Sequence, residues 1–161
     1  MLVKQRRLGR RMRGFTLIEL VTAITLLAIL AGLAVPAFQG FIANQRIRNT
    51  SFDLMAALMR ARSEAVTRNG NVSFSKTGTG WGAGWAVKSG TDTLLSQDEV
   101  RNLSITDSAN LAEIVYGKDG RTSTASTRFT IAPSTAINGV TSRCVSVGPS
   151  GVPSSRVGAC S

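Results

Sequence analysis

The stretch from Phe15 to Phe38 constrains this chain more than any other. It is almost wholly apolar, interrupted by one acid, Glu19, and by the hydroxyls of Thr16, Thr22 and Thr25. As a helix it spans roughly 36 Å, enough to cross a hydrocarbon core of about 30 Å. Immediately before it, residues 1–14 carry Lys4, Arg6, Arg7, Arg10, Arg11 and Arg13 and no acid. A basic flank ahead of an apolar span keeps the N terminus in the cytoplasm and sends the remainder outward.

The order of these parts separates an anchor from a discarded signal. A secretory signal carries its small-residue cleavage site after a shorter apolar core. Here the small residue, Gly14, precedes the core, so cleavage there leaves the helix on the mature chain. Glu19 is then anomalous, because an acid at the centre of a membrane helix costs about 2.5–3.5 kcal/mol. One reading keeps Glu19 wet, close to the cytoplasmic face. The other supplies a cation: cleavage after Gly14 frees the amino group of Phe15, one helical turn away. In a staggered bundle, Glu19 of one chain also meets Phe15 of the next. A charge pair in low dielectric is directional and sets packing register.

Processing also changes the charge balance. The chain has a formal charge of +10, and six of its cations lie in residues 1–14; from Phe15 onward 13 basic and 9 acidic side chains leave +4. That value is compatible with DNA binding without requiring it. The chain has no histidine, which excludes Ser-His and Cys-His nucleophile pairs and a histidine base. The acids Asp92, Asp98, Glu99, Asp107, Glu113 and Asp119 are scattered through loop-like sequence. Gly78-Thr79-Gly80-Trp81-Gly82 lacks the lysine and following helix of a phosphate loop. No enzyme, cofactor or metal site is expected.

Beyond the apolar run the pattern predicts continued helix to about Asn69, bent at Pro36, which removes one helical hydrogen bond. Two stripes emerge. Phe52, Met55, Met59 and Val66 form one; Ile47, Leu54, Leu58, Ala61 and Ala65 form the other. One is expected to pack on the chain's own sheet, the other to face neighbouring subunits. Gly70 is the expected stop after Asn69. Residues 71–161 are richer in Gly, Ser and Thr. Expected strands are Asn71–Lys76, Trp81–Lys88, Ala112–Tyr116, Arg128–Ile131, Arg143–Val147 and Ser155–Ala159. Ser89–Asn110 is polar and reads as containing a mobile loop. The fold class is α+β: a long N-terminal helix packed on a C-terminal antiparallel sheet domain. The layout is a leader 1–14, an anchor 15–38, an amphipathic helix 39–70 and a β-rich domain 71–161. Trp81 and Trp85 are read as core rather than as stacking platforms.

Cys144 and Cys160 are the only cysteines, with fifteen residues between them. Outside the cytoplasm they are expected to pair, and closing such a loop contributes about 3 kcal/mol in the chain-entropy estimate. Free thiols and a two-cysteine metal site are the alternatives, the second lacking any histidine to complete it.

Gly14-Phe15-Thr16-Leu17-Ile18-Glu19-Leu20 resembles the class III signal of type IV pilins and type II secretion pseudopilins. The resemblance implies cleavage after Gly14 by a prepilin peptidase and N-methylation of Phe15. It gives Glu19 the acidic assembly position and Pro36 the helix-kinking one. It also implies an inner-membrane subunit with a periplasmic C-terminal domain, whose partners are other pilins and membrane lipid. Trp81-Gly82-Ala83-Gly84-Trp85-Ala86-Val87 and the C-terminal cysteine loop resemble the FimT/GspH branch, which implies a minor pilin. A type II secretion pseudopilin is the alternative. A second alternative comes from FimT-like proteins associated with DNA uptake, which implies DNA contact by Arg143 and Arg156. Here Gly148-Pro149-Ser150-Gly151-Val152-Pro153 departs from the Gly-Arg pair that several of those proteins carry.

Overall fold

The computed structural model describes residues 14–161, without the side chains of residues 33–37. The basic residues before Gly14 therefore lie outside the described residues. The chain forms two compact units, one ending at Phe38 and one beginning at Gln39. A single helix, α1 (Leu17–Thr67, 51 residues), runs through the boundary. Pro36 lies within it, and its side chain is among those not described.

Both ends of α1 are capped. At the start, Glu19 N–H donates to Thr16 Oγ1 at 3.2 Å and Leu20 N–H to the Thr16 carbonyl at 3.1 Å. Thr16 is thus the N-cap, with the acid three residues on in the electropositive first turn. At the other end, Asn69 takes a positive φ of 50°. Its N–H donates to Val66 O and that of Gly70 to Ala65 O, the paired bonds of a Schellman turn. Asn69, rather than the expected Gly70, occupies the left-handed position. In the last turns Glu64 meets Arg60 at 2.7 Å and Arg68 at 2.8 Å. The Arg68 hydrogen bond and the Arg60 charge hold its carboxyl below the usual range.

In the first unit the apolar side chains of residues 15–32 are exposed all around the helix. Among the described residues no helical segment is both long and apolar enough to cross a membrane. The described side chains of the run stop at residue 32 and resume at Phe38, whereas the sequence stays apolar between them. The hydroxyls that interrupt the run bond back into the helix: Thr22 Oγ1 to Glu19 O at 2.9 Å and Thr25 Oγ1 to Val21 O at 2.7 Å. Those bonds satisfy the hydroxyls without water.

The second unit holds the core. The strands are β1 (Val72–Lys76), β2 (Trp85–Ser89), β3 (Asp92–Gln97), β4 (Leu103–Asp107), β5 (Glu113–Tyr116), β6 (Thr127–Pro133), β7 (Arg143–Val147) and β8 (Pro153–Val157). They form two four-stranded antiparallel sheets, β3-β2-β1-β5 and β4-β6-β7-β8, rather than one small sheet. Alternation sends Val72, Phe74, Trp85, Val87, Ile114 and Tyr116 inward from the first, and Leu103, Ile105, Phe129, Ile131, Val145 and Val147 from the second. The Ile47–Ala65 stripe of α1 packs into the same cluster. Of the other stripe, Phe52, Met59 and Val66 are exposed, while Met55 is half-buried against the core.

Three sequence expectations need correction. Trp81–Lys88 is not one strand: Trp81–Ala83 is a 3-10 turn and β2 starts at Trp85. Gly84 breaks the run, with φ at +114° and no room for a Cβ against the Gln97 carbonyl. Ser89–Asn110, read as containing a loop and given no strand, holds β3 and β4 as well. The last strand begins earlier, at Pro153, because it pairs with β7 in the register Val147↔Pro153 to Arg143↔Val157.

Candidate functional site: the N-terminal segment and the C-terminal strap

Gly14 and Phe15 precede α1 and are exposed. Among the described residues, a Cβ built on Gly14 meets nothing within 4 Å, so none of them places a steric demand for glycine there. Glu19 stands one turn into the helix, exposed, amid Leu17, Ile18, Leu20 and Val21, which are also exposed. An acid and the backbone nitrogen of Phe15 thus lie about one turn apart. An all-round apolar helix with such an end is built for lipid or for other helices.

The C-terminal residues form a second feature. Cys144 and Cys160 are joined by a disulfide. Cys160 N–H donates to Thr130 Oγ1 at 3.2 Å. Beyond it, Arg128 donates to the Ser161 backbone oxygen and Arg156 to Ser161 Oγ at 2.8 Å. The tail is therefore strapped across β6, β7 and β8 on the face turned from the core. Removing the bridge with C144S/C160S is expected to lower stability by about 3 kcal/mol. A denaturant midpoint unchanged from the oxidised wild type would refute that contribution.

The two arginines singled out in the sequence are not brought together. Arg143 pairs in register with Val157, and Cys144 with Arg156. Adjacent residues of a strand point to opposite faces, so Arg143 and Arg156 lie on opposite sides of the sheet. Arg143 is half-buried, its guanidinium 5.8 Å from the centroid of the Phe52 ring on α1. Arg156 shares the strapped face with Arg128, which sequence reasoning did not single out. Only register reveals that pair, since Arg128 and Arg156 are far apart in the chain.

Residues 9–35 match the prokaryotic N-terminal methylation motif. Residues 52–151, well over half of the chain, match the family described as Type II transport protein GspH. The chain belongs to the GspH family. Membership places it in the type IV pilin and type II pseudopilin superfamily, whose members are structural, non-enzymatic subunits. It implies assembly with other pilins, processing by a prepilin peptidase and anchoring in the inner membrane. Two crystal structures of the type IV minor pilin FimU of Pseudomonas aeruginosa share the fold of this GspH-family chain. One is 21% identical with a TM-score of 0.59, covering 68% of this chain and 91% of FimU. The other is 22% identical with a TM-score of 0.60, covering 75% and 92%.

Proposed function

We propose that this chain is a minor pilin that joins or primes a type IV pilus. It is cut after Gly14, N-methylated at Phe15 and held in the inner membrane by residues 15–38 until assembly. The supporting observation is the site geometry: an accessible Gly14, then a capped helix whose apolar side chains have no cover among the described residues. The amphipathic half of α1 carries the folded domain, and Glu19 with the Phe15 amine sets register between subunits. The strapped C-terminal end favours the pilus branch. The family description itself favours the second reading, a pseudopilin of a type II secretion machine. Arg143 and Arg156, facing opposite ways, make a poor joint contact for DNA.

Intact mass of the chain recovered from membranes tests the processing step. The expected result is loss of residues 1–14 and addition of one methyl group, with G14E retaining the whole leader. An unprocessed wild-type chain in piliated cells overturns the reading. Deletion of the gene then separates the machines: loss of surface pili supports the first reading, and loss of protein export with pili intact supports the second.

A further inference from the structure

The base of the folded unit carries an unassigned groove. The loop between β6 and β7 is clasped to the first turns of α1 in this unit. Asn44 Nδ2 donates to Gly139 O at 3.1 Å, and Thr141 N–H donates to Asn44 Oδ1 at 3.0 Å. Between loop and helix lies a cavity of about 390 Å³, whose walls include Ile42, Ala43, Leu103 and Ile137, with Arg46 among its lining residues. Ile42 is 47% exposed and Ile137 37%, and Phe41 beside them is 67% exposed. Among the described residues Arg46 makes no ion pair.

Its place in the chain says what covers this groove. Gln39 directly follows the apolar run ending at Phe38. Ile42 lies four residues beyond Phe38 in the chain, a span of at most about 14 Å. A run that crosses the membrane therefore brings this wall of the groove within reach of the lipid headgroups.

We propose that the groove binds a phospholipid of the periplasmic leaflet. The phosphate meets Arg46, and the glycerol and first methylenes lie against Ile42, Ala43, Leu103 and Ile137. A guanidinium pairs well with a phosphate oxygen, and an arginine stem lies readily along apolar surface. Exposed apolar residues beside cations are the mark of an interfacial contact. The proposal rests on the anchored reading above. It adds a binding step to it: extraction of the subunit into a filament must strip this lipid from the folded unit.

The test uses the full chain reconstituted in phosphatidylethanolamine–phosphatidylglycerol vesicles with brominated acyl chains. Trp81 and Trp85 are each 1% exposed, so a tryptophan introduced by I137W reports on the groove. Val152, immediately before β8 and beside the turn that meets Gly120, supplies the control V152W. The expected result is strong quenching of the added emission in I137W, little in V152W, and a fall of about half in I137W when R46Q is added. Chains that float with the vesicles while I137W stays unquenched overturn the lipid site and leave the anchor standing. Equal quenching with and without R46Q also overturns it. Chains that fail to float overturn the anchor reading itself.

Discussion

Trp81→Ala is expected to destabilise the folded unit by about 3–5 kcal/mol, a large share of the stability of a domain this size. Trp81 sits on the 3-10 turn between the two sheets and is 1% exposed. Its ring stacks on Phe74 of β1, with centroids 5.1 Å apart and planes 12° from parallel. It also forms an edge-to-face pair with Phe129 of β6, the centroids 5.0 Å apart and the planes at 80°. One side chain thus packs against both sheets, and its removal leaves a cavity facing Phe74 and Phe129 at once. Trp81 Nε1 is buried without a hydrogen-bond partner. Trp81→Phe discards that donor while keeping a ring, so it should cost much less than alanine, about 1–2 kcal/mol. Denaturant unfolding followed by Trp85 emission measures both. An alanine variant within about 0.5 kcal/mol of wild type would show that this residue does not hold the sheets together.

Much of this architecture is legible in the chain because its signals are local. The buried stripe Ile47, Leu54, Leu58, Ala61, Ala65 follows the helical period and is the face that packs. Leu103-Ser104-Ile105 alternates as a buried strand should, yet it lies within a stretch whose polar composition outweighed the alternation. β3 is harder to find. It is an edge strand with little burial, and its pairing with β2 shifts register between Val87 and Lys88. That shift breaks the period of two on which strand recognition depends. The Trp-Gly-Ala-Gly-Trp run misleads for another reason. Its two tryptophans are separated by a turn, which becomes evident only when Gly84 is seen pressed against the Gln97 carbonyl.

The site divides along the same line. Gly14 and Glu19 belong to a contiguous signal and are visible at once. The Thr16 cap is equally legible as Thr-x-x-Glu at the start of the apolar run. Arg128 and Arg156 become neighbours only through the β6-β7-β8 register. Gly151 shows how far such long-range constraints reach. With φ at +74°, it lies so close to the Gly120 carbonyl that a Cβ would collide with it. Arg62 of α1 also donates to that carbonyl, at 3.0 Å. The turn between β7 and β8 is therefore held by a helix almost ninety positions earlier, a relation no motif encodes.

Glu19→Gln should leave the chain inserted and processed but largely absent from assembled filaments. Gln matches Glu in size and helix propensity and serves equally well in a capping box. The Thr16 cap uses the backbone N–H of residue 19, which the substitution retains. What the local helix loses is the attraction of one charge to its N-terminal end, about 0.3–1 kcal/mol. A buried ion pair deprived of one member loses far more, about 3–5 kcal/mol, or roughly 10²–10⁴-fold in an assembly equilibrium. The two roles therefore differ by a margin that a fractionation resolves. Immunoblots of membranes should show wild-type levels of cleaved E19Q chain, and sheared filaments should contain almost none. Wild-type incorporation of E19Q would remove the charge pair from assembly and leave Glu19 only its place in the first helical turn.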